Sequence, residues 1–182
     1  MGMAAQLYYT ADMVRALPDD GNRYETVYGE LLVTPAPRWW HQELLSRLLQ
    51  SVADYLRRNP FGHPVMSPAD ISWGPDTLVQ PDLFVVPIAD ARTGDWTRMQ
   101  RLLLVIEVLS PSTSRADRFA KRRLYQEQGV PLYWVIDGEL RTAEVWTPEA
   151  SFPQVERERL VWQPEAGAEP FIVELSELFR PL

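Results

Sequence analysis

Asp82, Glu107 and Lys121 are the residues that their sequence surroundings accommodate least well, and their types are those of metal-assisted hydrolysis. Glu107 stands inside the run LLLVIEVL, residues 102–109, which shows no polar alternation. That is the pattern of a strand covered on both faces. A carboxylate there is costly unless it is paired, protonated or bound to a metal. Asp82 is set in a similar way within LVQPDLFVV, residues 78–86. Either acid alone could sit at a strand end and meet solvent. Brought together in a low-dielectric cleft they would repel, and a hard divalent cation would relieve that repulsion. Oxygen donors suit Mg2+ or Mn2+.

Lys121 is the only lysine among 18 basic residues. Asp117, Lys121 and Tyr125 recur at i, i+4 and i+8 and so share one helix face. Helical side chains lean back toward the N-terminus, which aims the ammonium at the end of the Glu107 strand. The plainer alternative is an exposed Asp117–Lys121 pair contributing about 0.3–0.5 kcal/mol. The neighbours Arg118, Arg122 and Arg123 count against it. Where this chain needs an ordinary surface cation it uses arginine, so a lysine suggests a compact point charge.

The elements that must position these groups follow from periodicity. Residues 10–17 predict a short helix capped by Thr10 and ended by Pro18. Residues 23–34 predict a strand pair broken at Tyr28-Gly29. Leu44, Leu45, Leu48, Leu49, Val52 and Leu56 give an apolar stripe to a helix over 38–58. Strands are expected at 69–73 and 78–86, joined by a Gly74-Pro75-Asp76 turn, with 87–100 irregular. The strand at 101–109, a helix running to about Gln128 and a strand at 130–136 form a β-α-β unit with parallel strands and a right-handed crossover. Further strands are expected at 142–147 and along one edge at 155–162, with a short helix at LSELF. The fold class is α/β, in the mixed α+β sense: a mixed β-sheet flanked by helices on both faces.

Composition bounds the rest. The 182 residues suit one well-packed domain over 1–182. Zero cysteines remove disulfides, thiolate metal sites and cysteine nucleophiles. Two histidines, His41 and His63, make a histidine-rich zinc site a poor fit. No stretch approaches the ~20 apolar residues of a membrane helix. MGMAAQLYYT lacks the pattern of a secretory leader, so the expected location is cytoplasmic. The net charge of −7 disfavours a protein that coats nucleic acid nonspecifically.

Several motifs in order resemble one family. They are Tyr24-Glu25, Gly29-Glu30 and His41, then Gln80-Pro81-Asp82. Ile106-Glu107-Val108-Leu109-Ser110-Pro111-Ser112-Thr113 follows, then Asp117, Lys121 and Tyr125, Gly129-Val130 and Tyr133-Trp134-Val135-Ile136-Asp137. Over about residues 20–147 the chain resembles the Uma-two family, or domain of unknown function 820. That family is grouped with restriction endonucleases in the PD-(D/E)xK superfamily. The resemblance implies a restriction-endonuclease-like fold and Mg2+- or Mn2+-dependent cleavage of DNA. Asp82, Glu107 and the Val108 carbonyl would hold the metal, and Lys121 would orient the attacking water. The superfamily lysine usually lies two residues beyond the acid, where this chain has Leu109, so Lys121 would have to act from the following helix. A further acid from the N-terminal region is expected, with Glu30 and Glu43 as candidates, Glu43 more in keeping with an exposed role. Asp117 and Tyr125 could support the site or belong to helix surface. His41 is assigned to capping or packing, and Trp39 and Trp40 to packing or a dimer contact. The expected partners are DNA and a second copy of the chain, since cutting a duplex calls for two symmetric sites. The competing expectations are a non-catalytic module that keeps the fold and binds DNA or a protein, and a metal phosphodiesterase for RNA or small nucleotides.

Overall fold

In the computed structural model, residues 7–164 and 168–182 are described. The first six residues of the N-terminal segment read above for a leader lie outside them. The elements, in chain order, begin with α1 (Ala11–Arg15), β1 (Arg23–Val27), β2 (Glu30–Thr34) and α2 (Trp39–Arg58). Next come β3 (Gly62–Met66), β4 (Ile71–Gly74), β5 (Thr77–Val79), β6 (Leu83–Pro87) and α3 (Ile88–Ala91). A strand β7 (Leu104–Val108) leads to helix α4, which is π-helical over Ala116–Lys121 and α-helical over Arg122–Glu127. The chain ends with β8 (Tyr133–Asp137), β9 (Thr142–Trp146), β10 (Gln154–Glu156), β11 (Arg159–Trp162), β12 (Phe171–Glu174) and α5 (Leu175–Leu178).

The main sheet has six strands in the order β10-β9-β8-β7-β6-β3. It is mixed: β7 and β8 run parallel, while its other pairs are antiparallel. The expected β-α-β unit is therefore present, with α4 as its crossover. Strand alternation splits the apolar runs between two cores. Leu83, Val85, Leu104, Ile106, Trp134 and Ile136 face α2 and its Leu44, Leu45, Leu48 and Val52 stripe. Phe84, Val86, Val105, Tyr133 and Val135 face α4 through Leu124 and Tyr125. Each fully buried aliphatic side chain contributes about 1.5–3 kcal/mol. Covering both faces explains why these strands carry no polar alternation. Glu107 shares parity with Val105, so it points to the α4 side.

Two expected strands are each divided. The 78–86 segment breaks at Gln80-Pro81-Asp82. Pro81 has no N–H for a ladder, and the chain crosses there from β5 to β6. β5 belongs to a second sheet, β2-β1-β5-β4, and β6 to the main one. The 155–162 segment likewise becomes β10, on the main sheet edge, and β11, which pairs with β12. Strand β3, with two glycine- and proline-marked positions in GHPVM, was not expected. The β1–β2 hairpin turns on Tyr28 and Gly29, both at positive φ. Trp40 packs against the α2-side core with Arg47 over its ring, whereas Trp39 is exposed. Among the described residues no helix is long and apolar enough to cross a membrane.

Candidate functional site

The break between β5 and β6 places Asp82 at the junction of the two sheets, and β6–β7 pairing brings Glu107 beside it. Leu83 is opposite Ile106, so Asp82 lies next to the 107–108 peptide. The two carboxylates are cross-tied through backbone. The Asp82 N–H donates to Glu107 Oε2 at 3.2 Å, and the Val108 N–H donates to Asp82 Oδ2 at 2.9 Å. These bonds satisfy two backbone N–H groups where the ladder is interrupted, and they hold both acids at one edge.

Lys121 reaches this edge from α4. Its Nζ is 3.0 Å from Glu107 Oε1, 3.0 Å from Glu25 Oε1 and 3.4 Å from Asp117 Oδ1. At 1% exposure it is no surface pair. Tyr125, one turn on, donates its hydroxyl to Glu107 Oε1 at 3.1 Å. Asp117 and Tyr125 are both buried, which removes the helix-surface alternative for each. The π-helical stretch Ala116–Lys121 lies where the helix meets the acids, and such widened turns are frequent at functional sites.

The N-terminal acid at the site is Glu25. Glu30 is exposed at the hairpin end, and Glu43 pairs with Arg47 at 2.7 Å on α2. Glu25 enters from β1, where Thr26 pairs with Leu78, and it also accepts from the Gln80 N–H at 2.7 Å. Its other oxygen, Oε2, is buried without a hydrogen bond. Two positions earlier on the same strand face, Arg23 donates to Asp82 Oδ1 at 2.8 Å. His41 Nε2 lies 3.2 Å from Asp82 Oδ2, so the capping or packing assignment for His41 is corrected. Proximity to Pro35 and Pro37 hid this, because the proline turn folds the start of α2 back over the β5–β6 break. The one signal for Glu25 was its place in the Tyr24-Glu25 motif of the family resemblance, since RYETV itself carries no apolar run.

Four buried carboxylates (Glu25, Asp82, Glu107 and Asp117) face two fixed cations, Lys121 and Arg23. Burial penalises every charge in the group, and the partners decide which acids stay ionised. For Asp82 burial opposes ionisation, but the His41 hydrogen bond, Arg23 and Lys121 outweigh it and hold the carboxyl well below its usual range. Glu107 goes the other way. Burial, with Asp82, Asp117 and Glu25 nearby, raises it well above the usual range despite Lys121. Burial likewise raises Asp117, to about 6, although Lys121 and the Thr113 hydrogen bond act against the rise. Burial alone would lower Lys121, and Glu107, Glu25 and Asp117 reverse this, so it is raised and firmly charged.

The family model described as "Uma2: Putative restriction endonuclease" matches residues 11–174. The chain belongs to the Uma2 family. A crystal structure described as "a putative nuclease belonging to DUF820", from Anabaena variabilis ATCC 29413, is similar to this fold with a TM-score of 0.77. The two chains are 20% identical, and the match covers 94% of this chain and 97% of the other. No curated protein matches the sequence. The Uma2 match spans every residue of the carboxylate–lysine cluster, Arg23 and His41 included.

The donor set fits a hard cation. It is all oxygen, its acids exceed its cations by two charges, and Glu25 Oε2 is an orphaned buried acceptor. Among the described residues no three His, Asp or Glu side chains are grouped closely enough to hold an ion as they stand. Mg2+ asks less than that, since it is commonly held by one or two carboxylates and keeps several waters.

Proposed function

We propose that this Uma2-family chain is a divalent-metal-dependent endonuclease that hydrolyses DNA phosphodiester bonds. The observation that carries it is Lys121. A lysine supplied by a helix, in place of the strand position occupied by Leu109, has its ammonium 3.0 Å from the Glu107 carboxylate. Asp82, Glu107 and the Val108 carbonyl would hold Mg2+ or Mn2+. A bound ion there would supply Lewis-acid polarisation of the phosphoryl oxygen and a water of lowered pKa. Lys121 would orient that water from the α4 side and stabilise charge developing on the phosphate. Glu25, Asp117 and Tyr125 fix the ammonium and the Glu107 carboxylate, so neither must reorganise during reaction. Arg23 and His41 hold Asp82 ionised and must give up one of its oxygens to the ion. A homodimer would supply the second cut of a duplex.

Purified protein with Mg2+ or Mn2+ should nick supercoiled plasmid, and chelation should stop it. Asp82→Asn, Glu107→Gln and Lys121→Ala should each abolish nicking. Cleavage that persists in all three variants overturns this site.

A second reading, a non-catalytic module that keeps the fold, is favoured by one feature. Lys121 is fully buried among three carboxylates, an arrangement that could serve structure alone. Under that reading, added Mg2+ or Mn2+ leaves the thermal midpoint unmoved, whereas a bound ion raises it.

A further inference from the structure

We propose that Arg23 is the displaceable partner of Asp82. In the metal-free protein its guanidinium covers the carboxylate oxygen that ligates the ion, and once displaced it binds the phosphodiester of the substrate in the cleft above. This rests on the nuclease reading above and adds a phosphate-binding residue to that site. The two oxygens of Asp82 are held differently. Oδ2 accepts the Val108 N–H at 2.9 Å and faces His41 Nε2 at 3.2 Å. A backbone N–H fixed in β7 cannot swing away, so Oδ2 is committed. Among the described residues Oδ1 accepts only from Arg23 Nη1, at 2.8 Å. It is the oxygen that Asp82 can offer to a cation. A guanidinium and a divalent ion on one oxygen repel strongly at such range, so Arg23 has to leave it.

The surroundings of Arg23 allow this. Its side chain is 20% exposed, against 3% for that of Asp82. A cleft of about 790 Å3 opens here, lined by Arg23, His41, Ser67 and Asp82 but not by Glu25, Glu107 or Lys121. Two contacts of the guanidinium do not depend on Asp82. Nη1 also donates to Ser67 Oγ at 3.3 Å, and Nε lies 3.8 Å from Glu25 Oε2. Nε and Oε2 are both buried without a hydrogen bond, so the charge pair anchors that edge of the group inside the protein. Nη2 makes no hydrogen bond among the described residues. Loss of Asp82 Oδ1 therefore leaves Nη1 and Nη2 as a donor edge at the cleft, with the Nε edge still held by Glu25.

Chemistry names the next partner. A planar pair of N–H donors matches two oxygens of a phosphate, a bidentate geometry that lysine lacks. Of the other arginines lining the cleft, Arg15 pairs with Asp12 and Asp70, and Arg38 is exposed at the start of α2. Arg23 alone among them touches a ligand of the proposed ion. It therefore couples the two halves of the site: the ligand is covered while no ion is present, and the donor edge is freed only when Asp82 takes one. The competing resting place for the displaced group is Glu25 Oε2, where it would be turned from the substrate.

The test uses the full chain. Mn2+ affinity is read by titration calorimetry, and phosphodiester binding as the further rise in thermal midpoint when dimethyl phosphate is added to the Mn2+-bound protein. Arg23→Gln should bind Mn2+ at least about tenfold more tightly than the parent, because the competing cation is gone. It should nevertheless lose the dimethyl phosphate response and about 10²-fold in single-turnover cleavage. Arg38→Gln removes the same charge from the same cleft and should shift Mn2+ affinity by less than about twofold. Arg23→Lys keeps the charge without the fork. It should hold Mn2+ as the parent does and still lose the dimethyl phosphate response, and it carries the test if Arg23→Gln does not fold. Mn2+ binding by Arg23→Gln no tighter than the parent's, or an equal tightening in Arg38→Gln, overturns the proposal. So does a parent without a dimethyl phosphate response, or a response that both Arg23 variants retain, which would put the displaced guanidinium on Glu25. If Mn2+-dependent cleavage requires Asp82 while Arg23→Gln leaves Mn2+ affinity unchanged, the proposal falls and the nuclease reading stands. If both Arg23 effects appear and no divalent ion supports cleavage, the nuclease reading falls and the proposal stands.

Discussion

Lys121→Met should abolish cleavage and also lower the stability of the metal-free protein by about 3–5 kcal/mol, the usual cost of breaking a buried ion pair from one side. The side chain is replaced by one of similar length, so packing changes little and the loss is electrostatic. Without the ammonium, Glu25, Glu107 and Asp117 are left facing one another at positions now 3.0, 3.0 and 3.4 Å from Nζ. For a chain of this size a loss of that order lowers the thermal midpoint by roughly 10 °C. The chemical loss is measured separately, by single-turnover cleavage well below the variant's midpoint, where the fall should be at least ~10²–10³-fold, as for removal of a preorganised charge-stabilising group. Full activity at that temperature would remove Lys121 from the chemistry. An unchanged midpoint would mean that the three carboxylates do not depend on it.

How much of this was legible in the sequence depends on whether a signal was local. The apolar runs around Glu107 and Tyr133 announced strands covered on both faces, and β7 and β8 are those strands, parallel and joined by α4. The i, i+4, i+8 spacing of Asp117, Lys121 and Tyr125 announced one helix face, and all three lie against the Glu107 carboxylate or its lysine partner. Non-local relations were not legible. Pro81 reads as a flaw within a strand, but its effect is to pass the chain between two sheets, and only the sheet order shows this. His41 and Glu25 belong to elements whose own sequences look ordinary. They reach Asp82 and Lys121 because β1 joins the second sheet beside β5 and because the proline turn swings the start of α2 over the same junction. Glu30 and Glu43 were plausible by position alone, yet Glu30, though on the strand face of Glu25, stands at the exposed hairpin end, and Glu43 is turned to Arg47 on α2.

The excess of two negative charges in the cluster leads to the second large effect, a coupling between protons, metal and stability. In the metal-free protein the excess is met by protons, held on Glu107 and Asp117 at pH values where an exposed carboxylate would have lost them. Such groups stabilise the fold fully below their unfolded values, and that contribution is lost as pH rises to the folded value. For Asp117 the window runs from 3.8 to about 6; at 1.36 kcal/mol per unit this is on the order of 3 kcal/mol. Asp82 has the opposite sign, because its folded value is lowered, but its window lies below pH 4 and leaves the range above pH 5 to Glu107 and Asp117. The metal-free protein should therefore melt at a lower temperature at pH 7.5 than at pH 5. A divalent ion competes with those protons, since its ligands must be deprotonated. Mg2+ or Mn2+ affinity should accordingly rise with pH by up to about tenfold per unit for each proton displaced and level off once both acids are ionised. Binding should restore at pH 7.5 the stability that deprotonation removes. Titration calorimetry in buffers of different ionisation enthalpy reads the released protons directly. An affinity that is flat from pH 5 to 8, with no proton release, would mean that the ion does not enter the carboxylate cluster, and the assignment of Asp82 and Glu107 as its ligands would fall with it.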